Sequence, residues 1–221
     1  ERFIELLRST KREGIEKLID FLEKTDFFTA PASTRFHMSC EGGLLQHSLN
    51  VYDCLVNLGT TTGDVQEFHV AGMRLDSIPK ESIIIVALLH DLCKVNFYAT
   101  EMRWRKDANN KWEQYPVYAV NDRNPYGHGE KSVMMASEFI RLTMEERYAI
   151  RWHMGMSEAN ITQTYCQAAE KYPLVLFAHM ADQMATSYLE TNTGNKKPED
   201  VYLGTEPAVQ DPEKFAEAEP I

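Results

Sequence analysis

Cysteine is scarce in this sequence, positive charge is outnumbered, and no apolar run is long. The 221 residues include 4 Cys, 11 Gly and 9 Pro. Cys40, Cys54, Cys93 and Cys166 form no CxxC pair and share no regular spacing, so a disulfide scaffold is excluded. Cys54 and Cys93 fall in apolar helical patterns and read as small core residues, which makes a reducing, cytoplasmic setting the default. The modest Gly and Pro content excludes a collagen-like chain, and 43% hydrophobic residues exclude wholesale disorder. The longest apolar run, Ile83–Leu89, is about a third of the roughly 18–20 residues of a membrane span. The opening residues Glu1-Arg2-Phe3-Ile4 show no short apolar signal segment. Lys and Arg total 23 against 33 Asp and Glu, a net charge of −10. Such a field repels polyanions and excludes a broad surface for coating long nucleic acid, though not a local basic pocket.

What is present reads mainly as helix. Phe3, Ile4, Leu7, Ile15, Leu18, Ile19 and Leu22 recur at helical spacing, predicting one or two N-terminal helices. Phe28–Ser39 reads as a loop. A helix follows Gly42-Gly43, with Leu44, Ser48, Val51, Leu55 and Leu58 in a stripe. Gly59–Gly63 breaks it, and a short helix is expected around Val65–Leu75. Glu81–Lys94 is apolar on every side and is predicted to be buried all round. Met102–Val120 looks like a β-hairpin around Asp107-Ala108-Asn109-Asn110. Helices resume at Gly129–Leu142. Thr143-Met144-Glu145-Glu146, a capping-box pattern, opens another that runs to about Met154. One more covers Thr164–Lys171, and Pro173 begins a long apolar helix through Tyr188. The expected fold class is therefore all-α: a helical bundle over residues 1–191 with one inserted β-hairpin at about 100–120. Residues 192–221 carry three Lys against seven acids with Pro198, Pro207, Pro212 and Pro220, and read as an acidic tail.

The chemistry-bearing residues stand out against this helical background. Asp91 closes the fully apolar helix and Asp182 directly follows the apolar stretch Leu174–Ala181. A carboxylate in a buried helix is very unfavourable unless paired or bound to a cation, and a shared cation serves both. His47 lies on the apolar face of its helix. Alone it reads as a satisfied core histidine, but with His90, Asp91 and Asp182 it completes a site of the kind helical bundles build in their cores. His128, in Tyr126-Gly127-His128-Gly129-Glu130, and His153, at the end of the Thr143 helix, fit a second metal. The plainer alternatives are a loop cap and a partner for the helix C-terminal dipole. Imidazole plus carboxylate suits Mn, Fe, Co, Ni or Zn better than Mg or Ca. A water bound to one or two such divalent metals becomes hydroxide near neutral pH.

Gly42-Gly43-Leu44-Leu45-Gln46-His47-Ser48, Leu89-His90-Asp91-Leu92-Cys93-Lys94, His128, His153 and Asp182 together resemble the HD-domain metal-dependent phosphohydrolase superfamily. The GGLLQHS phrase is most similar to the HD domains of bacterial 3′→5′ exoribonucleases. The resemblance spans about Phe27–Tyr188. It implies that His47, His90, Asp91 and Asp182 ligate one metal, and that Asp91 bridges to a second held by His128 and His153. His179, three residues before Asp182, also matches the exoribonuclease phrase and is expected to support the ligands from behind.

Asp91 and Lys94 are the expected catalytic pair. Lys94, one turn after His90, can reach a substrate phosphate or snorkel to solvent. Lys131, Arg151 and His37 are further candidates for substrate contact, His37 equally as a plain loop residue. On the hairpin, Arg103, Trp104, Arg105 and Trp112 interleave cations with aromatics that can stack a base or pack across strands. His69 reads as surface. The implied function is hydrolysis of a phosphoester by metal-activated hydroxide, on a small phosphorylated substrate such as a nucleotide or short oligonucleotide. Long nucleic acid and a membrane are not expected as partners. A di-iron HD-fold oxygenase and a non-catalytic metal-binding signalling domain are the alternatives.

Overall fold

The computed structural model describes residues 1–156 and 162–190. The chain opens with two short helices, α1 (Arg2–Ser9) and α2 (Ile15–Glu23). After a loop come α3 (Gly43–Asn57), strands β1 (Thr60–Thr62), β2 (Val65–Val70) and β3 (Met73–Pro79), and helix α4 (Lys80–Leu89). A 3-10 turn over Leu92–Lys94 leads to strands β4 (Tyr98–Lys106) and β5 (Trp112–Val120). Helices α5 (His128–Ser137), α6 (Met144–Arg151), α7 (Thr162–Lys171) and α8 (Pro173–Met184) follow, the last running into a π-helical turn at Ala185–Leu189.

Helix α4 is the axis of the core. Every residue from Ser82 to Leu89 is buried, and the helix contacts α1, α3, α6, β2 and β3. One core cluster runs from Phe3 to Ala185 and includes Leu7, Leu44, Leu55, Ile85, Leu89, Ile150 and Leu174. The Thr143–Glu146 capping box is present in both directions. Its Glu146 is fully buried, where it accepts hydrogen bonds from Ser82 Oγ at 2.7 Å and Arg12 Nη1 at 2.7 Å. That carboxylate ties the α1–α2 link, α4 and α6 together.

The fold is not all-α with a single hairpin. Among the described residues helix takes up 49% and strand 18%, in two antiparallel sheets of five strands altogether. The expected short helix around Val65–Leu75 is instead the centre of a three-stranded sheet ordered β1-β2-β3. The period-2 signal is hidden because one inward position is polar: Gln66 is buried beside buried Phe68. Gln66 donates to Val56 O at 2.7 Å and accepts from Thr61 Oγ1 at 2.8 Å, so the amide is satisfied there. Phe68 stacks on Phe177 of α8 at 4.2 Å, a contact no local pattern announces. A two-residue loop, Ala71-Gly72, both left-handed, closes β2 onto β3 with Val70 opposite Met73.

The β4–β5 hairpin is present, its register running from Tyr98 opposite Val120 to Lys106 opposite Trp112. Trp104 faces Gln114, not Trp112, and the two indoles are 61% and 65% exposed. The acidic segment 192–221 lies outside the described residues.

Candidate metal centre

Three helix ends and the buried faces of two further helices bring the polar residues together. His47 sits on the buried face of α3. α4 ends at His90, and Asp91 adopts φ −104°, ψ 19°, so the chain turns where the two ligands stand. His128 opens α5. His153 follows the end of α6. Asp182 projects from α8 and is buried. Two glycines set the approach. A Cβ on Gly43 would stand 2.0 Å from Met38 O, so the loop bearing His37 lies directly on the start of α3. A Cβ on Gly129 would stand 2.2 Å from Arg151 O, and this contact of α5 on α6 brings the His128 and His153 rings to 5.1 Å.

Asp91 is at the centre. Its Oδ1 lies 2.8 Å from His128 Nε2 and 3.6 Å from His153 Nε2. Its Oδ2 lies 3.4 Å from His47 Nε2, 3.5 Å from His90 Nε2 and 2.6 Å from Lys94 Nζ. Asp182 Oδ1 is 3.3 Å from His47 Nε2. One carboxylate oxygen thus serves each of two imidazole sets.

The far ring nitrogens decide which lone pairs face inward. His90 Nδ1 faces Ala87 O at 2.8 Å and His153 Nδ1 faces Ile150 O at 2.7 Å. A carbonyl accepts only, so each Nδ1 carries the proton and each Nε2 presents a lone pair. His47 Nδ1 is likewise 3.1 Å from both oxygens of Glu190. The Nε2 atoms of His47 and His90 stand 3.1 Å apart, a repulsive pairing of lone pairs unless a cation or proton joins them. His153 Nε2 is buried without a hydrogen-bond partner among the described residues. A buried imidazole lone pair set among carboxylates, with no hydrogen bond to satisfy it, fits a metal ligand.

The electrostatics agree. Burial opposes a charged His47, yet Glu190, Asp182 and Asp91 outweigh it and raise its pKa well above the ordinary value. Burial opposes an ionised Asp91, but Lys94, His90, His128 and His153 hold its pKa well below the carboxylate range. Burial lowers the pKa of His128, and Asp91 and Cys93 more than reverse this, to about 9. The pocket stabilises positive charge at several points, and a divalent cation can replace those protons. Among the described residues, groups able to hold one are His37, His47 and Glu190; His47, His90 and Asp182; His90, Asp91 and His153; and Asp91, Cys93 and His128, each with ligand atoms within 4.8 Å of one another.

Of these residues, His47, Asp91, His128 and Asp182 border a cavity of about 310 Å³, also lined by His37, Lys94, Tyr98, Val120, Met154 and Thr186. Lys94 is buried, its ammonium held by Asp91 against the cost of burial. His37 joins the site through Glu190, with Nδ1 2.7 Å from Oε2. Lys131 and Arg151 are not brought there. Lys131 Nζ is 2.6 Å from Asp122 Oδ1 and lines a separate cavity of about 850 Å³. Arg151 pairs with Glu130, lies over Trp152 and lines a groove of about 670 Å³. His179 Nδ1 is 2.7 Å from His153 O, so it braces the backbone of a predicted ligand.

Glu190 is the residue sequence reasoning missed. It is buried and gathers His37, His47 and Asn50, whose Nδ2 donates to Oε1 at 2.9 Å. It stands 143 positions from His47, after the exposed Tyr188 and Leu189, and no local pattern marks it. Cys93, read as a core residue, is buried as expected, but its Sγ also lies 3.2 Å from His128 Nδ1.

A family model for the HD domain matches residues 44–187, and the chain belongs to that family. The family is generally one of metal-dependent hydrolases. All the predicted ligands from His47 to Asp182 lie within the matched span, while His37 and Glu190 lie just outside its two ends. No curated protein and no solved structure matches the chain. Among the described residues no helix is long and apolar enough to cross a membrane.

Proposed function

We propose that this HD domain is a divalent-metal-dependent phosphohydrolase that cleaves a phosphoester in a nucleotide or short oligonucleotide. The observation that carries the reading is the convergence of inward Nε2 lone pairs on Asp91 and Asp182, with His153 Nε2 buried 3.6 Å from Asp91 Oδ1 and without a hydrogen bond among the described residues. His47, His90, Asp91 and Asp182 would hold one metal, and Asp91, His128 and His153 a second. When bound, the metals supply an activated water at neutral pH and Lewis acidity at the phosphoryl oxygens. The choice among Mn, Fe, Co, Ni and Zn follows from the mixed imidazole and carboxylate donors.

The chain's own residues do the rest. Asp91 orients the two imidazole sets through separate oxygens. Lys94, buried in the cavity wall and charged through Asp91, offers an ammonium to a substrate phosphoryl oxygen. A buried cation beside the ligands favours an anionic substrate, and so favours hydrolysis over the oxygenase and signalling alternatives. His37, held by Glu190, borders the same cavity and is placed to contact the substrate. The resemblance of the GGLLQHS phrase to exoribonuclease HD domains supports a nucleotide-containing ester. The free state of all four cysteines fits a cytoplasmic setting.

The test is hydrolysis of bis(p-nitrophenyl) phosphate and a panel of nucleotides by protein loaded with Mn²⁺. The expected result is turnover that Asp91→Ala abolishes. Absence of turnover in protein shown by elemental analysis to hold metal overturns the reading. Tightly bound iron with oxygen uptake transfers the site to the oxygenase class.

A further inference from the structure

The β4–β5 ribbon has two unlike faces. Register and pleat place Tyr98, Met102, Trp104 and Lys106 of β4 on one face with Trp112 and Val120 of β5. No Asp or Glu stands at any paired position on that face, in a chain whose net charge is −10. The opposite face carries Glu101, Arg103, Arg105 and Glu113, and Arg105 Nε donates to Glu113 Oε1 at 2.6 Å. The ion pairs and Tyr115, under Arg105, are therefore on one side, and both indoles with Lys106 are on the other.

The acid-free face is open. Met102 is 55% exposed, Trp104 61%, Trp112 65% and Val120 59%. Lys106 Nζ sits over the Trp112 ring at 5.6 Å. A two-stranded ribbon is marginal on its own, and exposed indoles at its far end add nothing to folding. Its near end is part of the metal cavity, because Tyr98 and Val120 line that cavity together with His37 and Lys94. The face thus leads outward from the ligands, and the strand from Tyr98 to Lys106 spans roughly 26 Å, longer than a mononucleotide.

We propose that this acid-free aromatic face is a stacking track for a single-stranded oligonucleotide whose scissile phosphoester enters the metal cavity. The proposal rests on the phosphohydrolase reading above and narrows its substrate from a nucleotide to a short strand. Every base offers a π-face to an indole, so stacking tolerates sequence, and Lys106 adds a cation where the backbone would run. A second copy of this chain fits the face less well, because covering Tyr98 and Val120 would close the mouth of the cavity. The general acidity of the chain limits the strand to the length of the track.

The test is fluorescence anisotropy of metal-loaded protein with a cleavage-resistant, phosphorothioate-linked oligothymidylate of about six nucleotides, against a labelled mononucleotide. The chain binds the longer ligand more tightly, and W104A/W112A loses that gain, by roughly 5- to 150-fold per stacked base. Arg105→Gln, on the other face, keeps the wild-type affinity. Trp104 and Trp112 are the exposed members of three tryptophans, Trp152 being buried. Oligonucleotide therefore quenches the intrinsic fluorescence of the unmodified protein, a readout independent of any variant's folding. Equal affinity for six nucleotides and one, or for wild type and W104A/W112A, overturns the track. So does a dimer that dissociates in W104A/W112A with oligonucleotide affinity unchanged. Hydrolysis by the wild type is scored separately: turnover without a length-dependent gain defeats the track alone, and a length-dependent gain without turnover defeats the chemistry alone.

Discussion

Asp91 and Glu190 divide the work of the centre between them. Asp91 faces the ligands with one oxygen toward His47, His90 and Lys94 and the other toward His128 and His153. Glu190 stands behind His47 and fixes which nitrogen faces inward. A carboxylate accepts from His37, His47 and Asn50 at once, whereas an amide turns one NH2 against a donor. Glu190→Gln is therefore expected to weaken metal binding roughly 10- to 100-fold, read by competition with a chromogenic chelator, with little change in the far-ultraviolet circular dichroism. Unchanged metal affinity would show that His47 is oriented by packing alone. At this scale the clustered histidines and aspartates were legible in the sequence as candidate ligands, because a carboxylate or imidazole inside an apolar helix is a local anomaly. Glu190 was not, since it follows two exposed residues and meets its partners only after the chain returns from α8.

Elements explain why the ligands arrive together. α4 was readable as buried from seven consecutive apolar residues, Ile83–Leu89, and its end at His90 places two ligands at one turn. The capping box of α6 was readable as well, but its second use was not. Glu146 also accepts from Arg12 and Ser82, which belong to distant segments. Arg12→Ala leaves that carboxylate buried without its counter-charge, and removing one partner of such a pair costs about 3–5 kcal/mol. Urea denaturation with an unchanged m-value is the measurement, and a loss below about 1 kcal/mol would place the pair in solvent-like surroundings. The β1–β3 sheet shows the opposite case. An inward Gln66 disguised the strand, and its amide is acceptable inside only because Val56 O and Thr61 Oγ1 lie across from it.

For the molecule as a whole, charge and metal set stability. Burial raises the pKa of Glu145 to about 7, with Asp76 and Glu146 adding to it and a backbone hydrogen bond at Leu174 opposing. Between its ordinary value of 4.5 and about 7, the folded state keeps a proton that the unfolded state releases. Stability from this group is thus full below pH 4.5 and is lost as pH rises through 7. Glu145→Gln is expected to match the wild-type melting temperature at pH 5 and exceed it at pH 8. An equal difference at both pH values would mean that Glu145 does not titrate in this window. A metal held by the proposed centre is expected to act in the other direction, because only the folded chain brings its candidate ligands together. Free metal at about a hundredfold its Kd stabilises by about 2.7 kcal/mol, a rise of roughly 5–10 °C over chelator-treated protein. No rise with any of Mn, Co, Ni or Zn would count against the centre.

By itself the sequence determined the helical frame around an all-apolar α4, which histidines and aspartates stand out as candidate ligands, and a net acidity that disfavours polyanions. These are local properties: periodicity, composition, and polar groups set where burial forbids them unless they are paired. Tertiary structure alone decided the three-stranded sheet, the burial of Glu146 against Arg12, the anchoring of His47 by Glu190, and the diversion of Lys131 and Arg151 to other cavities. Each of these depends on which partner lies across a gap of many residues. That partner sets whether a buried polar group is satisfied, and so whether the chain can place it there.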